Sequence, residues 1–226
     1  RENMVATGDL WEGTIDRIGR WVDFKGAYKT MDKNYMESVW WAFKTLYEKG
    51  KIYEGEKVLM YCTQDATPLS KAEVTMDSGS YQDVTDPSVY VLFKLKSAPF
   101  WKGTEPVSLL AWTTTPWTLP ANTATAVNEA VTYDVVVYEG KAFVIAEELT
   151  DSVFTNEKHQ PLAIEKVQKI SGKELVGLSY EPLFEDRGKN AHKVWAADYV
   201  TTESGSGIVH LAPAYGEEDF ELAREK

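Results

Sequence analysis

The sequence of 226 residues is 43% hydrophobic and 12% aromatic, enough to bury one good core or a core with an appendage, which excludes a largely disordered chain. A formal charge of −11 excludes a general duplex-binding surface, because phosphate neutralisation needs clustered Lys and Arg. Cys62 is the single cysteine, no run of about twenty apolar residues exists to span a membrane, and no apolar signal core precedes the first elements, so a soluble, cytoplasmic protein without internal disulfides is expected.

Residues 1–57 read as a helical segment. Between Tyr35 and Lys49, residues Met36, Val39, Trp40, Phe43, Leu46 and Tyr47 recur at steps of three or one, which stacks them on one helix face as a packing stripe. Thr30 or Asp32 is placed to cap the start of that helix and Gly50 its end.

From residue 58 the hydrophobic period shortens. Val58 to Tyr61 predicts a short strand and Val89 to Leu95 a longer one, with the polar stretch Cys62 to Asp86 between them, so residues 58–86 form a connecting ribbon. Ser108 to Thr114 is rich in β-favouring residues, and Pro116 cannot donate to a ladder, so this strand is expected to end at Thr115. The hydroxyls of Thr113, Thr114 and Thr115 then stand at a strand end, able to donate and accept toward a polar ligand or a water. Ordinary strand threonines, with Trp112 and Trp117 in the core, give the same pattern.

Further along, Tyr133 to Tyr138 and Ala142 to Ala146 predict a hairpin through Glu139-Gly140-Lys141, Glu147 to Phe154 a short helix, and Lys193 to Thr201 and Gly207 to Leu211 more strand. Alternation in the last of these puts Ile208 and His210 on one face, where a lone histidine is commonly structural. Pro213 ends the strand, Gly216 allows a turn, and Glu217, Glu218 and Asp219 fall in the first turn of a helix, where acidic residues suit the helix dipole. Many short strands and few helices give an α+β class: a barrel-like β core over 87–226 with helical insertions, preceded by the helical segment. No Gly-rich phosphate loop, Ser-His-Asp signature or dinucleotide fingerprint occurs.

The run Trp112-Thr113-Thr114-Thr115-Pro116-Trp117-Thr118-Leu119-Pro120-Ala121-Asn122 resembles the threonine-rich peptide in the editing domain of the isoleucyl-tRNA synthetase family, the insertion called connective peptide 1. Gly205 to Phe220 resembles the family's second editing motif, in the family's order. Valine- and leucine-specific relatives carry Arg-Pro-Glu or Arg-Pro-Asp where this chain has Thr115-Pro116-Trp117, which favours the isoleucine type. The likeness extends through Gly19 to Phe24, Thr30 to Asp32 and Met36 to Trp41, and so covers nearly the whole chain.

The resemblance implies that residues 1–57 belong to the parent aminoacylation core, leaving part of the aromatic stripe exposed, and that 58–226 form the editing domain. It implies hydrolysis of valine mischarged on the 3′-terminal adenosine of isoleucine tRNA, with the adenylate as a further substrate. One methylene is too little for a synthetic site to reject valine well, a limit for which the isoleucyl enzyme is the usual illustration. Asp219 is implied to hold the α-ammonium group, His210 to stand beside the amino-acid side chain, and Thr113, Thr114 and Thr115 to bind the adenosine and position water. Trp112, Thr118 and Asn122 are implied to line or shape the site, together with Ser206 and Gly207. Relatives show Gly-Thr-Gly where this chain has Gly205-Ser206-Gly207, so a slightly roomier wall is expected.

The aminoacylation signatures HIGH and KMSKS are absent, so ATP and magnesium are expected at the parent enzyme's other site and no cofactor here. Many relatives carry a zinc-binding Cys-x-x-Cys where this chain reads Cys62-Thr63-Gln64-Asp65, and one thiolate cannot complete a tetrahedral site, so no zinc is expected. The implied partners are the charged tRNA and the remainder of the parent synthetase, in a monomer. The alternative from another class is a non-catalytic tRNA- or protein-binding module that keeps the editing fold and tolerates loss of His210 and Asp219.

Overall fold

The computed structural model describes residues 7–8, 10–75, 79 and 81–226, in two compact units, Arg1–Glu56 and Lys57–Lys226. Residues 1–6 and 9 of the expected helical segment, and 76–78 and 80 of the expected ribbon, lie outside the described residues.

The first unit contains helices α1 (Leu10–Arg17) and α2 (Lys33–Glu48), joined by turns, so the segment is not helical throughout. α2 ends where Gly50 was expected to end it. Gly50 takes φ +66°, its N–H donates to Tyr47 O at 2.9 Å and Lys51 N–H donates to Leu46 O at 2.9 Å, the paired bonds of a Schellman turn. Asp32 occupies the N-cap position but makes no side-chain capping bond; its carboxylate accepts from Lys29 N–H instead. The aromatic stripe is exposed, with Trp40 at 67% and Tyr47 at 64%.

The second unit begins with a small antiparallel hairpin of β1 (Met60–Cys62) and β2 (Thr67–Leu69), followed by a 3₁₀ turn at Lys71–Val74. Within it the Cys62 thiol donates to the Asp65 carboxylate at 3.3 Å, and Asp65 N–H points back at the sulfur. One sulfur beside one carboxylate does not supply the ligand set that a tetrahedral structural zinc requires, so these two residues do not fit that metal.

Two sheets carry the rest. The larger runs β3 (Val89–Lys94), β4 (Val107–Thr113), β7 (Lys141–Ala146), β6 (Thr132–Tyr138), β8 (Glu165–Ser171), with β4 and β7 parallel and the other pairs antiparallel. Its central strands are buried on both faces, which is why they read as continuous apolar runs such as Phe143-Val144-Ile145-Ala146. β6 and β7 meet in a two-residue turn, Glu139 and Gly140, both at positive φ, the conformation that matches strand twist in a tight hairpin. The smaller sheet runs β10 (Val209–Leu211), β5 (Ala124–Val127), β9 (Lys193–Ala196), with β5 and β9 parallel.

These sheets do not close, so the barrel-like expectation is corrected to a mixed arrangement of two open sheets and a hairpin. Edge strand β8 escaped the sequence reading because its residues are mostly polar and exposed, leaving Ile170 as its buried anchor. β9 stops at Ala196 rather than Thr201: Ala197 N–H donates to Val127 O as the last bond of the parallel ladder, and β5 itself ends at Val127. The short helix after β7 forms as a 3₁₀ turn at Glu147–Leu149 running into α3 (Thr150–Val153); α4 (Gly172–Leu175) follows β8, and α5 (Glu217–Glu225) follows β10. Among the described residues no helix is long and apolar enough to cross a membrane.

The threonine-rich run is the crossing between the sheets. The chain leaves the larger sheet at Thr113 and enters the smaller at Ala124, so residues 114–123 must turn where neither ladder can satisfy their backbone.

Candidate active site

The crossing is held by its own hydroxyls. β4 ends at Thr113, two residues earlier than expected, because the Thr113 hydroxyl accepts from Thr115 N–H at 3.0 Å and takes the place of a ladder partner. The Thr113 and Thr115 hydroxyls lie 3.2 Å apart. Pro116 then opens a 3₁₀ helix, Pro116–Ala121, a position where its missing N–H costs nothing. Thr118 returns its hydroxyl to Thr115 O at 2.8 Å.

β10 brings His210 to this crossing from the far end of the sequence. His210 pairs with Thr125 across the β10–β5 ladder, is 8% exposed, and stacks near the buried ring of Phe93. Its Nε2 lies 2.9 Å from the Thr118 hydroxyl and its Nδ1 lies 2.9 Å from Asn122 Nδ2. Asn122 Nδ2 also faces Ala124 O at 2.8 Å, so it must be the amide nitrogen, and Nδ1 of the imidazole must accept. Because the Thr118 hydrogen goes to Thr115 O, Nε2 carries the ring proton and donates.

Burial pushes the His210 imidazole down to about 4, so it is neutral at pH 7. The sign follows from linkage. Between the ordinary value of 6.5 and about 4 the unfolded chain takes up a proton that the folded chain refuses, so this contribution is present above 6.5 and lost as pH falls. Acidification from pH 7 to pH 4 is expected to remove about 3 kcal/mol through this residue. Urea unfolding at the two pH values measures it, and a His210→Gln chain showing the same pH slope would refute the assignment.

α5 supplies the acid. Asp219 Oδ2 accepts from Ala212 N–H at 2.8 Å, tying the helix's first turn to the end of β10. Burial raises the Asp219 carboxyl above the ordinary aspartate value, partly offset by the Ala212 N–H and reinforced by Glu218. Gly216 is extended, with φ −118°, so no left-handed turn requires glycine there. A Cβ at Gly216 would instead stand 2.9 Å from Asp219 Cγ, so glycine makes room for the carboxylate. Glu217 is engaged elsewhere, in an ion pair with Lys71 at 2.9 Å.

Together these elements line a cleft of about 530 Å³. Its walls are Trp112 to Thr115, Trp117 and Thr118 from the crossing, Val209, His210 and Ala212 from β10 and its end, and Tyr215, Gly216 and Asp219 from the turn into α5. Seven of the residues singled out in the sequence, Trp112, Thr113, Thr114, Thr115, Thr118, His210 and Asp219, therefore meet in one cavity. Asn122 sits behind His210 instead of on the cleft wall. Ser206 and Gly207 also lie away from the lining: Ser206 is buried with its hydroxyl on Ile208 O, and its carbonyl accepts from Ala146 N–H. Trp117, read as a core candidate, is 68% exposed at the cleft.

Val209, Ala212 and Gly216 line the cleft without having been singled out as site residues, and two tyrosines join them. Tyr215 lines the cleft, and Tyr180, completely buried, donates to Asn122 Oδ1 at 2.7 Å from outside both motifs. No local signal marks Tyr180, since its partner lies 58 positions away. Among the described residues no cluster of three or more His, Cys, Asp or Glu has metal-binding geometry.

Residues 1–192 match the model for class I tRNA synthetases (I, L, M and V). The chain is 46% identical over 226 residues to the cytoplasmic isoleucine–tRNA ligase of Saccharomyces cerevisiae, covering 97% of this chain and 20% of that protein. It is 46% identical over 217 residues to the isoleucine–tRNA ligase of Bdellovibrio bacteriovorus, covering 93% of this chain and 19% of that protein. The chain thus spans about a fifth of the length of the curated relatives it matches. In fold it is similar to the crystal structure of GlLeuRS-CP1, with a TM-score of 0.51 and 16% identity over 62% of this chain and 59% of that one.

Proposed function

Because this chain belongs to the class I tRNA synthetase family of the isoleucine, leucine, methionine and valine enzymes, we propose that its cleft hydrolyses the ester joining valine to the 3′-terminal adenosine of isoleucine tRNA. The observation that supports this reading is the convergence of Thr113 to Thr115, His210 and Asp219, two motifs almost a hundred residues apart, on one cavity beside the end of β4.

In this reading the residues take the roles that the resemblance implies, and the geometry supports them as follows. One oxygen of Asp219 is committed to Ala212 N–H, and the other accepts the α-ammonium group of the ester in a charge-assisted bond. The hydroxyls of Thr114 and Thr115, exposed at the mouth, take the ribose and hold the attacking water. Water oxygen attacks the carbonyl carbon, the bond to the ribose oxygen breaks, and valine leaves as its carboxylate while the ribose regains a hydroxyl. The neighbouring ribose hydroxyl relays the proton. His210 is poorly suited to act as the base, because both ring nitrogens are occupied and its basicity is low. It serves as a rigid wall whose position excludes isoleucine, the larger cognate residue. An aminoacyl ester is already reactive, so the step needs no cofactor.

The test is deacylation of isoleucine tRNA charged with valine or with isoleucine, by this chain and by the longer synthetase containing it. Release of valine with isoleucine retained is the expected result. Failure of both proteins to release valine would overturn the proposal.

A further inference from the structure

The wall formed by His210 is only as well defined as the groups behind it. His210 Nδ1 is held by Asn122 Nδ2, and Asn122 Oδ1 is held by the Tyr180 hydroxyl at 2.7 Å. From Tyr180 inward each bond has one possible direction: Tyr180 O–H to Asn122 Oδ1, Asn122 N–H to His210 Nδ1, His210 Nε2–H to the Thr118 hydroxyl, and Thr118 O–H to Thr115 O. The chain ends on the backbone of a threonine at the cleft.

Tyr180 is itself immobilised. Its ring meets Phe93 edge-on at 5.0 Å and His192 at 5.6 Å, its N–H donates to His192 O, and it bridges Leu95 beyond the end of β3. The stretch that follows Tyr180 braces the same crossing twice more. Arg187 Nη2 donates to Pro120 O at 2.8 Å, and His192 N–H donates to Thr123 O at 2.6 Å. Three contacts from residues 180–192 therefore fall on Pro120, Asn122 and Thr123, the back of the threonine-rich segment.

We propose that Tyr180 is a positioning residue that acts through Asn122 to hold the His210 imidazole in one tautomer and one place, and so sets how sharply the cleft separates valine from isoleucine. Protonation of His210 at Nδ1 requires Asn122 to turn its oxygen toward the ring, which breaks the bond to Ala124 O and leaves the buried Tyr180 O–H without its acceptor, the amide then donating to the phenol oxygen instead. Without the Tyr180 hydroxyl, that turn strands no buried donor at residue 180. The same loosening lets the imidazole retreat before the larger side chain. The effect on selectivity rests on the hydrolytic reading above, whereas the state of the imidazole does not.

The test pairs nitrogen-15 spectroscopy of the histidines with ester hydrolysis, in the unaltered chain and in Tyr180→Phe, which keeps the ring contacts. The unaltered chain should show His210 with a bare Nδ1 and a protonated Nε2. In Tyr180→Phe the imidazole should titrate about one pH unit higher, and the valine-over-isoleucine ratio of kcat/KM should fall about tenfold. In an Asn122→Ala background the same change should alter that ratio less than twofold, because the route through the amide is already cut. A protonated Nδ1 in the unaltered chain overturns the proposal even if the variant fails to fold. So does a Tyr180→Phe chain with unchanged titration, or unchanged selectivity alongside active unaltered chain. Absence of hydrolysis by the unaltered chain and its longer parent would count against the functional reading, with the titration still deciding the role of Tyr180.

Discussion

Replacing Asp219 by asparagine is expected to lower kcat/KM for valyl-ester hydrolysis about 100-fold, the scale of losing one partner of a desolvated, hydrogen-bonded charge pair. Asparagine is the informative substitution because the residue does two things. Its Oδ2 accepts from Ala212 N–H at 2.8 Å, and Ala212 is 2% exposed, so an alanine at 219 would also strand a buried donor. Asparagine retains an acceptor for that N–H and the shape that Gly216 accommodates, and loses only the charge that faces the ammonium group. The unfolding midpoint should therefore move little while hydrolysis collapses. Because burial raises the Asp219 carboxyl, the acidic limb of the rate profile should lie above the ordinary aspartate range, and activity should rise as pH rises through that limb. Steady-state deacylation at several pH values reads both effects, and an Asp219→Asn chain as active as the unaltered one would remove the anchor from the mechanism.

Gly207→Ala is expected to cost about 3 kcal/mol of stability, from a left-handed backbone that L-residues avoid and from overpacking. Gly207 has φ +71°, and a Cβ there would lie 2.4 Å from Ala146 Cβ at the end of β7, too close for any rotamer to relieve. The Tyr133 hydroxyl donates to Gly207 O at 2.8 Å, and Ala146 N–H donates to Ser206 O at 2.9 Å, so both strands of the β6–β7 hairpin grip this loop. For a chain of this size the melting temperature should drop by about 10 °C. Gly140→Ala is the control: φ is +73°, but nothing lies within 4 Å of the added carbon, so only the backbone cost of about 1 kcal/mol applies. Equal shifts for the two variants would contradict the packing argument. Since β10 begins two residues later, the Gly207 change should also displace His210, which gives this loop a part in the site although it lies away from the cleft wall.

The residues legible in the sequence are those whose reasons are local. The turn Glu139-Gly140, the helix stop at Gly50 and the buried runs of β6 and β7 depend on backbone preference and on short-range hydrophobic pattern, and they appear where expected. The two motifs were legible through resemblance, and the structure brings most of their marked residues together. The misplaced readings involve competition between elements. Thr115 leaves the strand because the Thr113 hydroxyl outbids a ladder bond, and Trp117 faces the solvent while its neighbour Thr118 is turned inward, its hydroxyl held by Thr115 O and His210.

By itself the sequence determined the apolar strands, the punctuation by proline and glycine, the family, and which residues carry hydroxyl, imidazole and carboxylate chemistry. The tertiary structure alone decided that two open sheets form, that Asn122 stands behind His210, that the imidazole is neutral with both nitrogens engaged, and that Tyr180 stands behind them. The physical reason is that strand pattern and turn chemistry act over a few residues, whereas desolvation and hydrogen-bond direction are set by groups that chain folding brings from 58 to 92 positions away.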